Sequence, residues 1–132
     1  MKSILFVCFE NSNRSQMAEA FAKIHGENEV IAFSAGSRPS GKVNPKAIEA
    51  MKMIGYDLST HQSKSVEEYG DRNFDYVITM GCGDECPFIP ATHREDWNIP
   101  DPKNMEMKEF TIVRDTIEQE VKRLLEKISN FK

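Results

Sequence analysis

Three runs of strand length, Ser3–Val7 (SILFV), Val30–Ser34 (VIAFS) and Tyr76–Met80 (YVITM), are apolar or nearly so at consecutive positions. A strand covered on one face alternates apolar and polar residues, so unbroken runs belong to strands covered on both faces. Helical spacing fills the intervals. From Ser15, residues Met17, Ala18, Phe21, Ala22 and Ile24 recur with that period and stop before Gly26. Asn44-Pro45 reads as a helix N-cap with proline in the first turn; Ala47, Ile48, Met51 and Ile54 form the apolar side and Gly55 ends it. Ser65–Tyr69 is expected to be a short helix, Glu95–Ile99 a short edge strand before Pro100, and Phe110–Phe131 a last amphipathic helix. In that helix Ile112, Val113, Ile117, Val121, Leu124, Leu125 and Ile128 are placed on one side. Strands alternating with helices predict one α/β domain over residues 1–132. Its expected core is an open, twisted parallel sheet of about four strands with helices on both faces. In such sheets ligands bind beyond the carboxyl ends of the strands. Cys8 follows the first run and Met80-Gly81-Cys82 ends the third, so both thiol-bearing segments are expected on one rim.

Charge and cysteine usage narrow the function classes. The net charge of −4 is spread over interspersed acids and bases, with no basic patch to hold nucleic acid. The longest apolar run, Ile4–Cys8, is far too short to span a bilayer, and Met1-Lys2-Ser3 leads into it without room for a signal peptide. A cytoplasmic protein is expected. In a reducing compartment three cysteines are chemistry or core, rarely a disulfide framework.

The segment Cys8-Phe9-Glu10-Asn11-Ser12-Asn13-Arg14-Ser15 joins a strand to a helix. Such a loop can aim successive backbone N–H groups at one point, and the helix adds its positive end there. Arg14 supplies a planar fork for a tetrahedral oxyanion. A thiol in this field ionises more readily, and the thiolate is the attacking form. Asn11 and Asn13 tolerate the left-handed backbone that lets the loop curl without glycine. Phe9 through Ser15 are therefore the candidate anion-binding residues, with Cys8 as nucleophile. Downstream, Asp101-Pro102 is either a turn or a loop acid able to protonate a leaving oxygen. Two further thiols stand in Met80-Gly81-Cys82-Gly83-Asp84-Glu85-Cys86-Pro87. A metal site there lacks ligands beyond His93, so none is assigned, and two core cysteines are out of keeping with so polar a run.

The pattern C-x5-R-S directly after a first strand, with Asp101-Pro102 late in the chain, resembles the catalytic loop and general acid of the low-molecular-weight protein tyrosine phosphatase superfamily. With Cys82 and Cys86 added, the chain is similar to the arsenate reductases built on that fold, particularly the three-cysteine, thioredoxin-coupled type. The resemblance extends through Ser15–Glu19, Ser34-Ala35-Gly36, Val43–Met51, Cys86-Pro87 and Asp96-Trp97. It implies attack of Cys8 on arsenate, transfer of the oxidation to Cys82 and then Cys86, and release of arsenite. It further implies reduction by thioredoxin or glutaredoxin, competition from phosphate or sulfate, no tightly bound cofactor, no metal, and a monomer. Departures from the pattern are Glu10 in place of a usual glycine, a short Cys82–Cys86 spacing, and Lys103-Asn104 where many tyrosine phosphatases carry aromatic residues. Two other readings stay open: a phosphatase whose extra thiols protect Cys8, and a non-catalytic oxyanion or redox sensor.

Several smaller expectations complete the reading. Glu10 should point to solvent, away from the anion. Lys64 should present its ammonium to Asn11, Glu19 and Ser34, where some relatives bind potassium. His25 is placed in a last helical turn, and His61 and His93 in solvated polar loops. Trp97 is assigned to packing, and Arg38 and Lys42 to a solvated loop.

Overall fold

The fold is a computed structural model that describes residues 1–81 and 89–130; Cys82, Cys86 and Phe131 lie outside the described residues. Strand β1 (Lys2–Cys8) lies between β2 (Val30–Gly36) and β3 (Phe74–Met80), and β3 carries β4 (Ala91–Trp97) at the edge. All pairs are parallel, in the order β2-β1-β3-β4. Register brings the strand ends together: Cys8 pairs with Gly36, Val7 with Thr79 and Met80 with Trp97.

Ile4 through Val7 are wholly buried, as an unbroken apolar strand requires. Ile4, Phe6 and Cys8 face the larger core, shared with α1 (Arg14–His25), α2 (Pro45–Lys52) and α3 (Met107–Asn130). Leu5 and Val7 face the smaller one, closed by Phe33, Phe74, Ile89 and a 3-10 helix at Val66–Tyr69. The expected α/β sheet with helical cover on both faces is thus present. A capping box between Ser65 and Glu68 holds the 3-10 helix. The Arg72 guanidinium lies 4.7 Å from the Phe33 ring centre and 5.5 Å from that of Phe74, sealing this side. As read from the sequence, Asn44 caps α2 by accepting from the Lys46 N–H, with Pro45 in the first turn.

Element boundaries differ where apolar periodicity is a poor guide. The edge strand runs over Ala91–Trp97, not Glu95–Ile99, because it pairs with β3 alone and exposes Thr92, His93 and Arg94. Ile112 is 60% exposed and belongs to the outer side of α3. Helix α2 ends at Lys52, leaving Ile54 beyond it and 42% exposed.

Polar contacts to α3 replace apolar ones in holding β4. Glu95 accepts from Arg123 at 2.7 Å, from Lys127 at 3.2 Å and from the Trp97 indole N–H at 2.8 Å. Burial pushes its carboxyl up, but these hydrogen bonds outweigh burial and hold it below its ordinary value. The associated stability is present above the unfolded value near 4.5 and is lost as pH falls through the lower folded value. Arg123 and Lys127 are about half exposed, so the contribution is screened. Glu95→Gln should lower stability at pH 7 by about 0.5–1 kcal/mol, and chemical denaturation should show the difference shrinking below pH 4.5.

Candidate active site

The loop from Cys8 to Arg14 is shaped by where its carbonyls go. Those of Cys8, Phe9, Glu10 and Ser12 accept from the amides of Ser37, Arg38, Ser40 and Asn44, at 2.8–3.2 Å. With the carbonyls turned outward onto this second segment, the loop amides are free to line the inner side. The contact is close enough that a Cβ on Gly36 would meet Phe9 O at 2.8 Å and Asn11 N at 2.9 Å. Asn11 turns the loop with φ +53°, the left-handed backbone its short polar side chain tolerates. Asn13 does not share that conformation: its φ is −128° and it stands at the N-cap of α1 without a side-chain capping bond. The first-turn N–H groups of α1 therefore face the same point as the loop.

Cys8 is 2% exposed at the end of β1, 2.9 Å from Ser15 Oγ. A chain of hydrogen bonds, part-buried at Tyr56 and His61 and fully buried from Gln16 inward, leads to it. The Tyr56 hydroxyl lies 2.7 Å from His61 Nε2, and His61 Nδ1 lies 2.9 Å from Gln16 Oε1. Gln16 Nε2 donates to Asn11 Oδ1 at 2.9 Å, and Asn11 Nδ2 donates to Ser15 Oγ at 2.7 Å. Burial raises the Tyr56 phenol above its ordinary value, so it stays protonated and donates to Nε2. That assigns the proton to His61 Nδ1, which donates to Gln16 Oε1. Each link then donates toward the sulfur, and the Ser15 hydroxyl is left to donate to Sγ. The whole chain thus ends as a single donor aimed at the Cys8 sulfur.

Arg14 is 6% exposed, donates through NH1 to Ile99 O at 3.1 Å, and brings NH2 to 3.8 Å from Asp101 Oδ2. Gly81, with φ +76°, lets the chain leaving β3 pass this guanidinium; a Cβ there would collide with NH1. Asp101 makes the turn and also faces the arginine. Its Oδ1 accepts from the Lys103 N–H at 3.0 Å, making the turn, while Oδ2 faces Arg14. Cys8, Glu10, Ser12, Asn13, Arg14 and Asp101 together line one small cavity. Phe9 stands at the loop's outer side, under the Arg38 guanidinium at 6.0 Å. The predicted rim therefore brings Cys8, Arg14 and Asp101 together, and the Cys82 and Cys86 expectation falls outside the described residues.

Other expectations are corrected. Glu10 does not simply face solvent: its carboxylate pairs with Lys103 at 3.0 Å and lines the cavity. Lys64 meets Asn11 through its backbone N–H, at 2.8 Å, while the cation on Glu19 is Lys23, at 2.6 Å, one helical turn away. Ser34 donates to Glu19 Oε1. His61 is not solvated, with its side chain only 4% exposed. Its role depends on a contact to Gln16 across 45 residues, which no local pattern reveals. His93 is exposed on β4 and stacks on Tyr76. Among the described residues no cluster of His, Cys, Asp and Glu is arranged to hold a metal ion, and no helix is long and apolar enough to cross a membrane.

The sequence profile of the low-molecular-weight phosphotyrosine protein phosphatases matches residues 3–131. The chain belongs to this family. It is 38% identical to the glutaredoxin arsenate reductase of Synechocystis sp., over 98% of this chain and all of that one. A solved structure of an arsenate reductase in the phosphate-binding state superposes with a TM-score of 0.87 at 37% identity, covering 97% of this chain and 99% of the other. The thioredoxin-dependent arsenate reductase of Corynebacterium glutamicum gives 0.84 at 31% identity, covering all of this chain and 64% of that one. Family membership thus joins a site whose geometry suits oxyanion chemistry to relatives that include reductases.

Burial holds His61 below its ordinary value of 6.5, with Lys23 and Lys64 adding to the effect and Glu19 opposing it. The unfolded chain takes up this proton first, so the contribution to stability is present above pH 6.5 and is lost as pH falls. Melting temperatures should fall between pH 7.5 and pH 5.5, and His61→Gln should flatten that fall. An equal or steeper fall in the variant would remove His61 from the account.

Proposed function

We propose that this chain is an arsenate reductase, with residues 1–132 forming one catalytic domain. The observation that carries the reading is the inward-donating chain ending on buried Cys8, beside Arg14 and Asp101, in a fold whose full-length relatives include arsenate reductases. Phosphate, bound by one such relative, shares the tetrahedral shape and charge of arsenate.

The loop amides of residues 9–15, the start of α1 and Arg14 would hold the oxyanion. Cys8 thiolate attacks arsenic, and Asp101 protonates the departing oxygen, which leaves as water. Cys82 thiolate then attacks the Cys8 sulfur. The sulfur–arsenic bond breaks with its electron pair on arsenic, which falls from As(V) to As(III) and departs as arsenite. Cys86 attacks Cys82 and frees Cys8, leaving a Cys82–Cys86 disulfide, and an external dithiol protein reduces it by exchange. Thioredoxin and glutaredoxin are the candidate donors, each named for one similar reductase. A cytoplasmic setting and a monomeric state accompany this reading.

Peptide mapping after one turnover is the test. In Cys86→Ser, one arsenate should be reduced per enzyme and a Cys8–Cys82 disulfide should accumulate. In Cys82→Ser, the arsenic adduct on Cys8 should persist. Asp101→Asn should slow turnover by about 10²–10⁴-fold while leaving oxyanion affinity nearly intact. Hydrolysis of phosphate monoesters without any arsenate-dependent thioredoxin oxidation would return the chain to phosphatase chemistry.

A further inference from the structure

The cavity over Cys8 is about 10 Å³, room for roughly one water molecule. It is small and partly open, so a tetrahedral oxyanion seated over Cys8 reaches its wall. Glu10 is the wall residue whose charge is wrong for an anion, yet its two carboxylate oxygens lie 3.0 and 3.1 Å from Lys103 Nζ. Lys103 belongs to the turn that fixes Asp101, donating its own N–H to Asp101 Oδ1. Behind this pair runs an open groove of about 220 Å³ lined by Glu10, Lys103, Ser12, Asn13, Lys42 and Asn44, among others. Glu10 thus lines both the catalytic cavity and the groove, with Lys103 bound to it on the groove side.

We propose that the Glu10–Lys103 ion pair is a specificity strap that admits inorganic oxyanions and excludes phosphate monoesters. The proposal rests on the arsenate reading. With the strap closed, the space beside Asp101 takes a leaving oxygen but no organic group attached to it. An ester whose organic part lay along the groove would displace the pair. Lys103 also neutralises Glu10, so a dianion meets a screened carboxylate. The Lys103 side chain is 54% exposed and that of Glu10 29%, so the pair adds little to stability and its role lies in selection.

A double-mutant cycle with Glu10→Gln and Lys103→Met tests the charge pairing, using inorganic phosphate titrated calorimetrically. Lys103→Met should weaken phosphate binding roughly 5- to 10-fold by uncovering Glu10. The double variant should return to within about 3-fold of the parent. Glu10→Gly, which removes the strap, should raise kcat/KM for p-nitrophenyl phosphate relative to arsenate by about 10-fold or more. Glu10→Gln provides the same comparison without added backbone freedom, and melting curves confirm folding of each variant. Additive effects on phosphate binding, or an unchanged ester-to-arsenate ratio, would overturn the strap. Because the phosphate cycle uses no arsenate, a parent that reduces no arsenate but shows the non-additive cycle overturns the reductase reading and supports the charge pairing.

Discussion

Carbonyl placement in residues 8–12 is the constraint on which the catalytic rim depends. A tight loop after a parallel strand carries as many acceptors as donors, and a carbonyl turned inward would repel an oxyanion. Here the amides of Ser37, Arg38, Ser40 and Asn44 take the carbonyls of Cys8, Phe9, Glu10 and Ser12. The inner face is left to donors. This explains why β2 has to end on a glycine: at Gly36 the two backbones approach too closely for any Cβ. It also explains why parallel register matters to chemistry, since pairing Cys8 with Gly36 delivers the second segment beside the loop.

Much of this was legible in the sequence because both signals involved are local. Continuous apolar runs marked β1, β2 and β3, and C-x5-R-S marked the anion loop with its nucleophile and arginine. Asp101 was legible as turn or acid; its Oδ1 makes the turn and its Oδ2 faces Arg14. What escaped was set by contacts between distant residues. Strand β4 is polar along most of its length and is held by Arg123 and Lys127 of α3, so no apolar pattern marks it. His61 follows a polar stretch, yet packing of Tyr56 and Gln16 against it buries the ring. Glu10 and Lys103 are 93 residues apart, and neither foretells the other. The charge on Glu19 was assigned to Lys64 by resemblance, whereas ordinary helical spacing supplies Lys23.

Burial divides the site into parts with different physical duties. The residues that hold the sulfur, Asn11, Ser15 and Gln16, are fully buried and uncharged. Their hydrogen bonds are made in a low-dielectric setting, where leaving a partner unsatisfied costs about 1–3 kcal/mol, and the chain is correspondingly rigid. Arg14 is the exception, a buried cation, and it is anchored to Ile99 O while reaching toward Asp101. A guanidinium so placed, with helix and loop donors around the same point, makes an anion the natural complement of the site.

The groups opposite the sulfur follow the reverse rule. Asp101 is 50% exposed on its side chain and Lys103 is 54% exposed, so their ion pairs are screened by water and salt and are cheap to rearrange. A reaction of this kind needs that asymmetry. The attacking atom and its cradle must be preorganised before substrate arrives, because reorganising them during attack would raise the barrier. An acid at Asp101 would, by contrast, have to follow a leaving oxygen whose position changes as the bond breaks, and its exposed, screened contacts leave it free to do so. Placing neutral buried bonds beneath Cys8 and exposed charged ones above it gives one rim both a fixed cradle and an adaptable outer side.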